Sequence, residues 1–203
     1  EKILFRRLSV FSGEFDLSDV EEVCANETIP RNRILDLLSH LVERSMIQTV
    51  YQPGRKMRYR LLETLQRYAS HRLIEKGEVE EIRLRHLVYF TEMAEKAYEE
   101  RLKYQQEWLE TLKRKHDKFI SALKCYDRHS QEYFLRLSGA LGWFWRFHSH
   151  LVLGCNFLER ALAKNLARSE YYARALYGLG LLLSLTSDVA KAIDLLNESM
   201  ILW

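Results

Sequence analysis

Breaks are scarce in this chain. Two prolines and eight glycines among 203 residues leave few places where a helix must stop, so long helices joined by short turns are expected. Cysteine is equally sparse. Cys24, Cys125 and Cys155 are far apart and odd in number, which excludes a disulfide framework or a zinc site and suits a reducing cytoplasm. No apolar run approaches the ~20 residues of a membrane span, so no membrane partner is expected. The opening EKILFRRL has neither a signal-peptide layout nor an initiator Met, so an excised cytoplasmic fragment is expected.

Catalytic signatures are missing too. Gly54, Gly77, Gly178 and Gly180 do not assemble into a phosphate-binding loop of the form GxxxxGK followed by Ser or Thr. His116, Asp117 and Ser121 supply the letters of a nucleophilic triad but no nucleophile elbow, and read as a solvated helix start. Cys24, preceded by acids that would raise its thiol pKa, reads as a core cysteine. His148 and His150, close to Cys155, would need further donors to hold a metal, and residues two apart do not share a helix face. They read as a turn between helices. The expectation is a fragment that is not an enzyme and contains no catalytic, metal or cofactor residues.

What is present is a well-packed composition, 47% hydrophobic with 29% charged and a net charge of +3, too small a charge to mark a nucleic-acid binder. Its distribution says more. Glu14, Asp16, Asp19, Glu21, Glu22 and Glu27 follow one another with no intervening base. From Arg31 to Arg60 seven bases then face only Asp36 and Glu43, so an acidic side and a basic side are expected.

Periodicity predicts a helix over Glu1–Val10 and a short one over Leu17–Ala25 capped by Asp16 or Ser18. A third is opened by Pro30 and carries Ile34, Leu37, Leu38, Leu41 and Val42 on one stripe. Met46–Tyr51 and Met57–Leu61 alternate around a Gln52-Pro53-Gly54-Arg55 turn, the only β signal, and predict a two-stranded hairpin. Leu62–Lys76 returns to helix, with Gly77 as its C-cap. Together these make a winged helix-turn-helix over residues 1–77. A helical connector follows over 78–130: a long amphipathic helix, Glu78–Lys103, then a helix pair, Gln105–Leu112 and Asp117–Tyr126.

Residues 131–203 repeat themselves. At an offset of 38 residues Gly142 lands on Gly180, Leu141 on Leu179, Phe144 on Leu182, Leu158 on Leu196 and Leu162 on Met200. Each copy reads as a helical hairpin, Gln131–His148 with Val152–Lys164 and Ser169–Thr186 with Asp188–Trp203. Small residues (Gly139, Ala140, Gly142, Ala161; Ala175, Gly178, Gly180, Ala192) stand where the helices must touch. The period and the small-residue pattern resemble the tetratricopeptide family, and such arrays bury faces that a single unit cannot. The expected fold is therefore mainly α: a winged helix-turn-helix domain followed by a tetratricopeptide-like α-α superhelix, a truncated array.

Two candidate surfaces follow. Arg31 and Arg33 at the start of the third helix, with Arg55, Lys56 and Arg58 on the wing, could meet DNA or a protein partner. Against DNA, the middle of that helix exposes Asp36, Ser39, His40 and Glu43, and the protein-facing reading is preferred. In the superhelix, consecutive Trp143, Phe144 and Trp145 fan over about 200° of helix, so they cannot all point inward. Trp145, Phe147 and Trp203 are the candidates for a partner surface.

Several stretches in order, LFRRLSVFSGEFDLSDVEEVC (4–24), ILDLLSHLVERSMI (34–47), RYRLLETLQRYASHRL (58–73), EWLETLKRKHDKFISAL (107–123) and ALGWFWRFHSHLVLGCNFLERAL (140–162), resemble one family. They look like the segment downstream of the ATPase core in STAND-class signal-transduction ATPases, many of them large bacterial transcriptional regulators. The resemblance implies a superhelix that receives a protein partner or small inducer. It also implies a winged helix that packs on the absent ATPase core, with ATP or ADP bound by the parent protein. Where relatives carry a nucleotide-touching Met-His-Asp motif, this chain has Leu61-Leu62-Glu63. Leucine cannot hydrogen-bond a phosphate, so no nucleotide contact is implied here, and Glu63 is expected to cap its helix.

Overall fold

The computed structural model describes residues 1–51, 56–124, 130–163, 167–186 and 188–203. The predicted wing turn, Gln52 to Arg55, and Cys125 lie outside them. The chain divides into two compact units, Glu1–Tyr89 and Phe90–Trp203, with the division inside one helix, α5 (Val79–Glu100).

The first unit begins with α1 (Lys2–Arg7) and a 3-10 turn, Leu8–Val10. After Gly13, which takes φ 68°, the chain forms β1 (Glu14–Asp16), α2 (Leu17–Cys24), a 3-10 turn Arg31–Arg33 and α3 (Ile34–Glu43). The wing, β2 (Gln48–Val50) and β3 (Arg58–Arg60), precedes α4 (Glu63–Glu75). Instead of a two-stranded hairpin there is a three-stranded antiparallel sheet in the order β1-β3-β2, in which Tyr59 faces both Phe15 and Thr49. β1 is three residues long, too short to show alternation, and it exists because the second edge of β3 is open to it.

Local chemistry sets the ends of these elements. Asp16 begins α2 with a capping box: it accepts from the Asp19 N–H at 3.0 Å while Asp19 accepts from the Asp16 N–H at 3.2 Å, which satisfies two otherwise orphaned donors. Gly77, at φ 70°, ends α4 as the sequence predicts. Its N–H bonds the Ile74 carbonyl while that of Glu78 reaches Leu73, the double bond of a Schellman turn. α3 ends in the same way at Ser45, φ 57°, where no glycine announces it. Glu63 does not cap α4; the N-cap position is Leu62 and no side chain bonds there. Phe11, Phe15, Val20, Ile34, Leu38 and Ile47 are buried in the core of this unit.

The second unit contains the rest of α5, then α6 (Gln105–Arg114), α7 (His116–Lys124), α8 (Gln131–Phe147), α9 (Leu151–Leu162), α10 (Glu170–Leu183) and α11 (Val189–Leu202). α8 packs on α9 and on α10, and α10 packs on α9 and on α11, so two helical hairpins stack side by side. The repeat is visible in the contacts: Gly142 lies against Leu158, and 38 residues on Gly180 lies against Leu196. Gly142 also lets α8 and α10 approach backbone to backbone, since a Cβ built on it would stand 2.9 Å from the Gly178 Cα. Among the described residues no helix is long and apolar enough to cross a membrane.

Candidate functional site

The exposed face of α3 and the neighbouring wing form the first candidate surface. The 3-10 turn that carries Arg31 and Arg33 leads directly into α3, so both side chains project from its N-terminal end and are exposed. Neither stands free. Arg31 reaches Glu22 at 2.7 Å and Glu21 at 3.3 Å, bonds that hold its guanidinium pKa above the ordinary value. Arg33 lies 3.9 Å from Asp36. Arg58 crosses from β3 to β1 to pair with Glu14 at 2.9 Å, and Arg44 pairs with Glu1 at 2.8 Å. Among the described residues, two of the bases, Arg31 and Arg58, are thus folded onto the acidic stretch.

Lys56 stands at an open groove of about 480 Å³ lined by Asp16, Leu17, Ser18, Glu21, Leu35, Lys56, Met57 and Tyr59. Its walls come from the start of α2, the outer side of α3 and β3. Leu35 and Met57 are half exposed there. Farther along α3 the outward residues are Asp36, Ser39, His40 and Glu43. This face offers an apolar floor with acids beside it. It can take an apolar side chain, and two outward carboxylates would repel a phosphate backbone. Arg55 lies outside the described residues.

In the second unit the three aromatic candidates part company. Trp145 is not a surface residue: it is 0% exposed and stacks on Phe157, ring centroids 6.0 Å apart, above Gly154. A Cβ at Gly154 would come within 2.9 Å of that indole. Phe147 is 50% exposed and Trp203 65%, and these two stay accessible. α11 adds Val189, Ile193, Met200 and Ile201 to the exposed apolar residues.

Sequence reasoning missed two largely buried polar clusters. In one, Glu95 of α5 accepts both fork bonds of Arg136, at 2.9 and 2.7 Å, while Arg174 of α10 lies 4.0 Å away. The guanidinium of Arg136 sits over the rings of Tyr133 and Tyr171. A usable signal existed: Arg174 lies one helical turn before Gly178, a charge on the small-residue face of its helix.

In the other cluster His116 is no solvated helix start. Its ring stacks on His150 at 4.6 Å and 5° from parallel, beside Phe144, against which His148 also packs. His148 and His150 flank the α8–α9 turn, as the sequence predicts, with Ser149 at φ 57°. Burial, and then the neighbouring His150, depress the His116 pKa from 6.5, against an opposing pull from Asp117. Burial, and then Lys113, depress that of His148, which is opposed by the Leu109 carbonyl. A depressed folded-state pKa means the unfolded chain takes up protons first as pH falls. Stability is therefore full above the ordinary histidine range and is lost as pH falls from there through the depressed values. Urea midpoints read between about pH 7.5 and pH 5 should fall on acidification, and His116→Phe should flatten the slope. An unchanged slope in that variant would remove His116 from the account. Cys24 is fully buried, with burial pushing its thiol up to about 12, so it is inert as a nucleophile, and burial supplies the shift that the sequence attributes to neighbouring acids.

A three-helix core with β1 ahead of α2 and a β2–β3 wing after α3 is the arrangement of a winged helix-turn-helix, and residues 1–74 match the family model of the winged helix-turn-helix domain. The chain is 44% identical over 94 residues to the Mycobacterium tuberculosis (strain ATCC 25618 / H37Rv) protein named "Putative HTH-type transcriptional regulator Rv0890c", a match covering 46% of this chain and 10% of that relative. Its Mycobacterium bovis counterpart, Mb0914c, matches equally well. "Uncharacterized protein Rv0894" of M. tuberculosis is 34% identical over 87 residues, 42% of this chain and 22% of that protein. The alignment with the first of these relatives thus spans about a tenth of their length. No solved structure matches the chain.

Proposed function

We propose that this chain is a non-catalytic regulatory segment of a larger transcriptional regulator of the STAND type. In this reading the helical hairpins belong to a tetratricopeptide-like superhelix that receives a protein partner or small inducer. The winged helix docks on protein, the ATPase core of the same polypeptide, and ATP or ADP is bound by that core. The observation that carries this is the face of α3: its outward acids, Asp36 and Glu43, and the ion-paired state of Arg31, Arg33 and Arg58 leave little to hold phosphates.

The second reading, a DNA-binding winged helix with a helical tail, is favoured by the names of the mycobacterial relatives. Fluorescence anisotropy with a random duplex separates the two. The expected result is no micromolar binding at low salt. Binding that disappears on adding salt, and that is abolished by Arg31→Ala with Arg33→Ala, would establish the DNA reading instead.

A further inference from the structure

Arg174 has no acid of its own. Its side chain is 9% exposed, and its Nε and Nη1 have no hydrogen-bond partner. The nearest carboxylate, Glu95, is already gripped at both oxygens by Arg136. At 4.0 Å the Arg174 contact exceeds hydrogen-bond length. Tyr98 compounds the imbalance, for its ring carries Arg174 at 4.4 Å and Arg101 at 3.7 Å. Two guanidiniums, from α8 and α10, thus share one carboxylate, and the second shares the Tyr98 ring with Arg101, which follows the end of α5. Buried donors without partners are costly, and more so on a charged group.

The geometry points to an anion site: Arg174, through its unpaired Nε and Nη1, binds a carboxylate supplied by a ligand. A guanidinium presents donors in a plane that matches a carboxylate. Tyr171, whose ring lies 5.7 Å from the Arg174 guanidinium, and Arg101, which shares the Tyr98 ring with it, are both part-exposed. This deepens the reading in which the helical unit receives the signal, by giving the ligand a chemistry. That chemistry is shared by a small organic acid and by an acidic side chain of a partner peptide.

The test is a titration of the whole chain, isotope-labelled, with sodium succinate, with a tri-glutamate peptide, and with sodium chloride at matched ionic strength. The arginine Nε–H resonances are followed, with that of Arg174 assigned by its loss in Arg174→Lys. A saturable shift of the Arg174 signal with succinate or the peptide, beyond any chloride effect, is expected. The tighter of the two names the source. The accompanying rise in thermal midpoint should be absent in Arg174→Met. Shifts that match chloride in both arms, or a midpoint rise that persists in Arg174→Met, would overturn the site. A negative titration would leave the partner-receiving reading intact, since that reading stands or falls on the duplex-binding assay.

Discussion

Glu95→Ala is expected to destabilise the helical unit by about 3–5 kcal/mol, the cost of removing one partner from a largely buried ion pair. Glu95 and Arg136 are 12% and 19% exposed at their side chains, and their two fork bonds fix each other's rotamers. Without the carboxylate, Arg136 and Arg174 face each other with no acid within ion-pair range among the described residues. Glu95→Gln retains an acceptor and should cost less. Arg174→Met removes the surplus charge instead and should be neutral or stabilising, because well-packed apolar replacements of buried ions commonly are. All four tryptophans (Trp108, Trp143, Trp145 and Trp203) lie beyond residue 89, so urea unfolding followed by indole fluorescence reports on this unit. A loss below about 1 kcal/mol in Glu95→Ala would show that the network is solvent-screened and holds little.

Gly142→Val carries the second large effect, a loss of about 3 kcal/mol. On helix propensity alone, replacing a mid-helix glycine by alanine gains up to about 1 kcal/mol. Packing reverses the sign. The Cβ would stand 2.9 Å from the Gly178 Cα, and that atom is backbone, which cannot rotate aside. α8 and α10 must separate, which loosens Leu141, Leu158 and Leu179, all buried in the stack. Gly142→Ala should show the same direction with a smaller loss. The control is Gly77→Ala, where nothing lies within 4 Å of an added Cβ and only the positive φ resists; it should act through local strain of about 1–2 kcal/mol. If Gly142→Val melts at the wild-type midpoint, the two hairpins do not stack through this contact.

The helices were legible because a helix announces itself locally. Apolar residues at three- and four-residue spacing, Asp16 ahead of α2, Pro30 ahead of α3 and Gly77 after α4 are all statements about neighbours within one turn. The repeat was legible for a related reason: Gly142 with Leu158 and Gly180 with Leu196 are the same local solution written twice. The candidate surfaces were much less so. Arg31, Arg33 and Arg58 look like a basic edge in one dimension, yet their acids arrive from α2, β1 and the first turn of α3.

By itself, then, the sequence determined the order and approximate ends of the helices, the wing, and the two-fold repetition of the hairpin. Only the tertiary structure decided what meets across elements. It added β1 to β3, whose partners Glu14 and Arg60 lie far apart in the chain. It buried Trp145 on Phe157 while leaving Phe147 and Trp203 accessible. It stacked His116 on His150, and it brought Arg136 and Arg174 to a single Glu95. The reason is one of range. Hydrogen bonding and side-chain periodicity within a helix act over about four residues. Pairing of charges and aromatic rings acts between whichever faces packing brings together, and no local pattern records that choice.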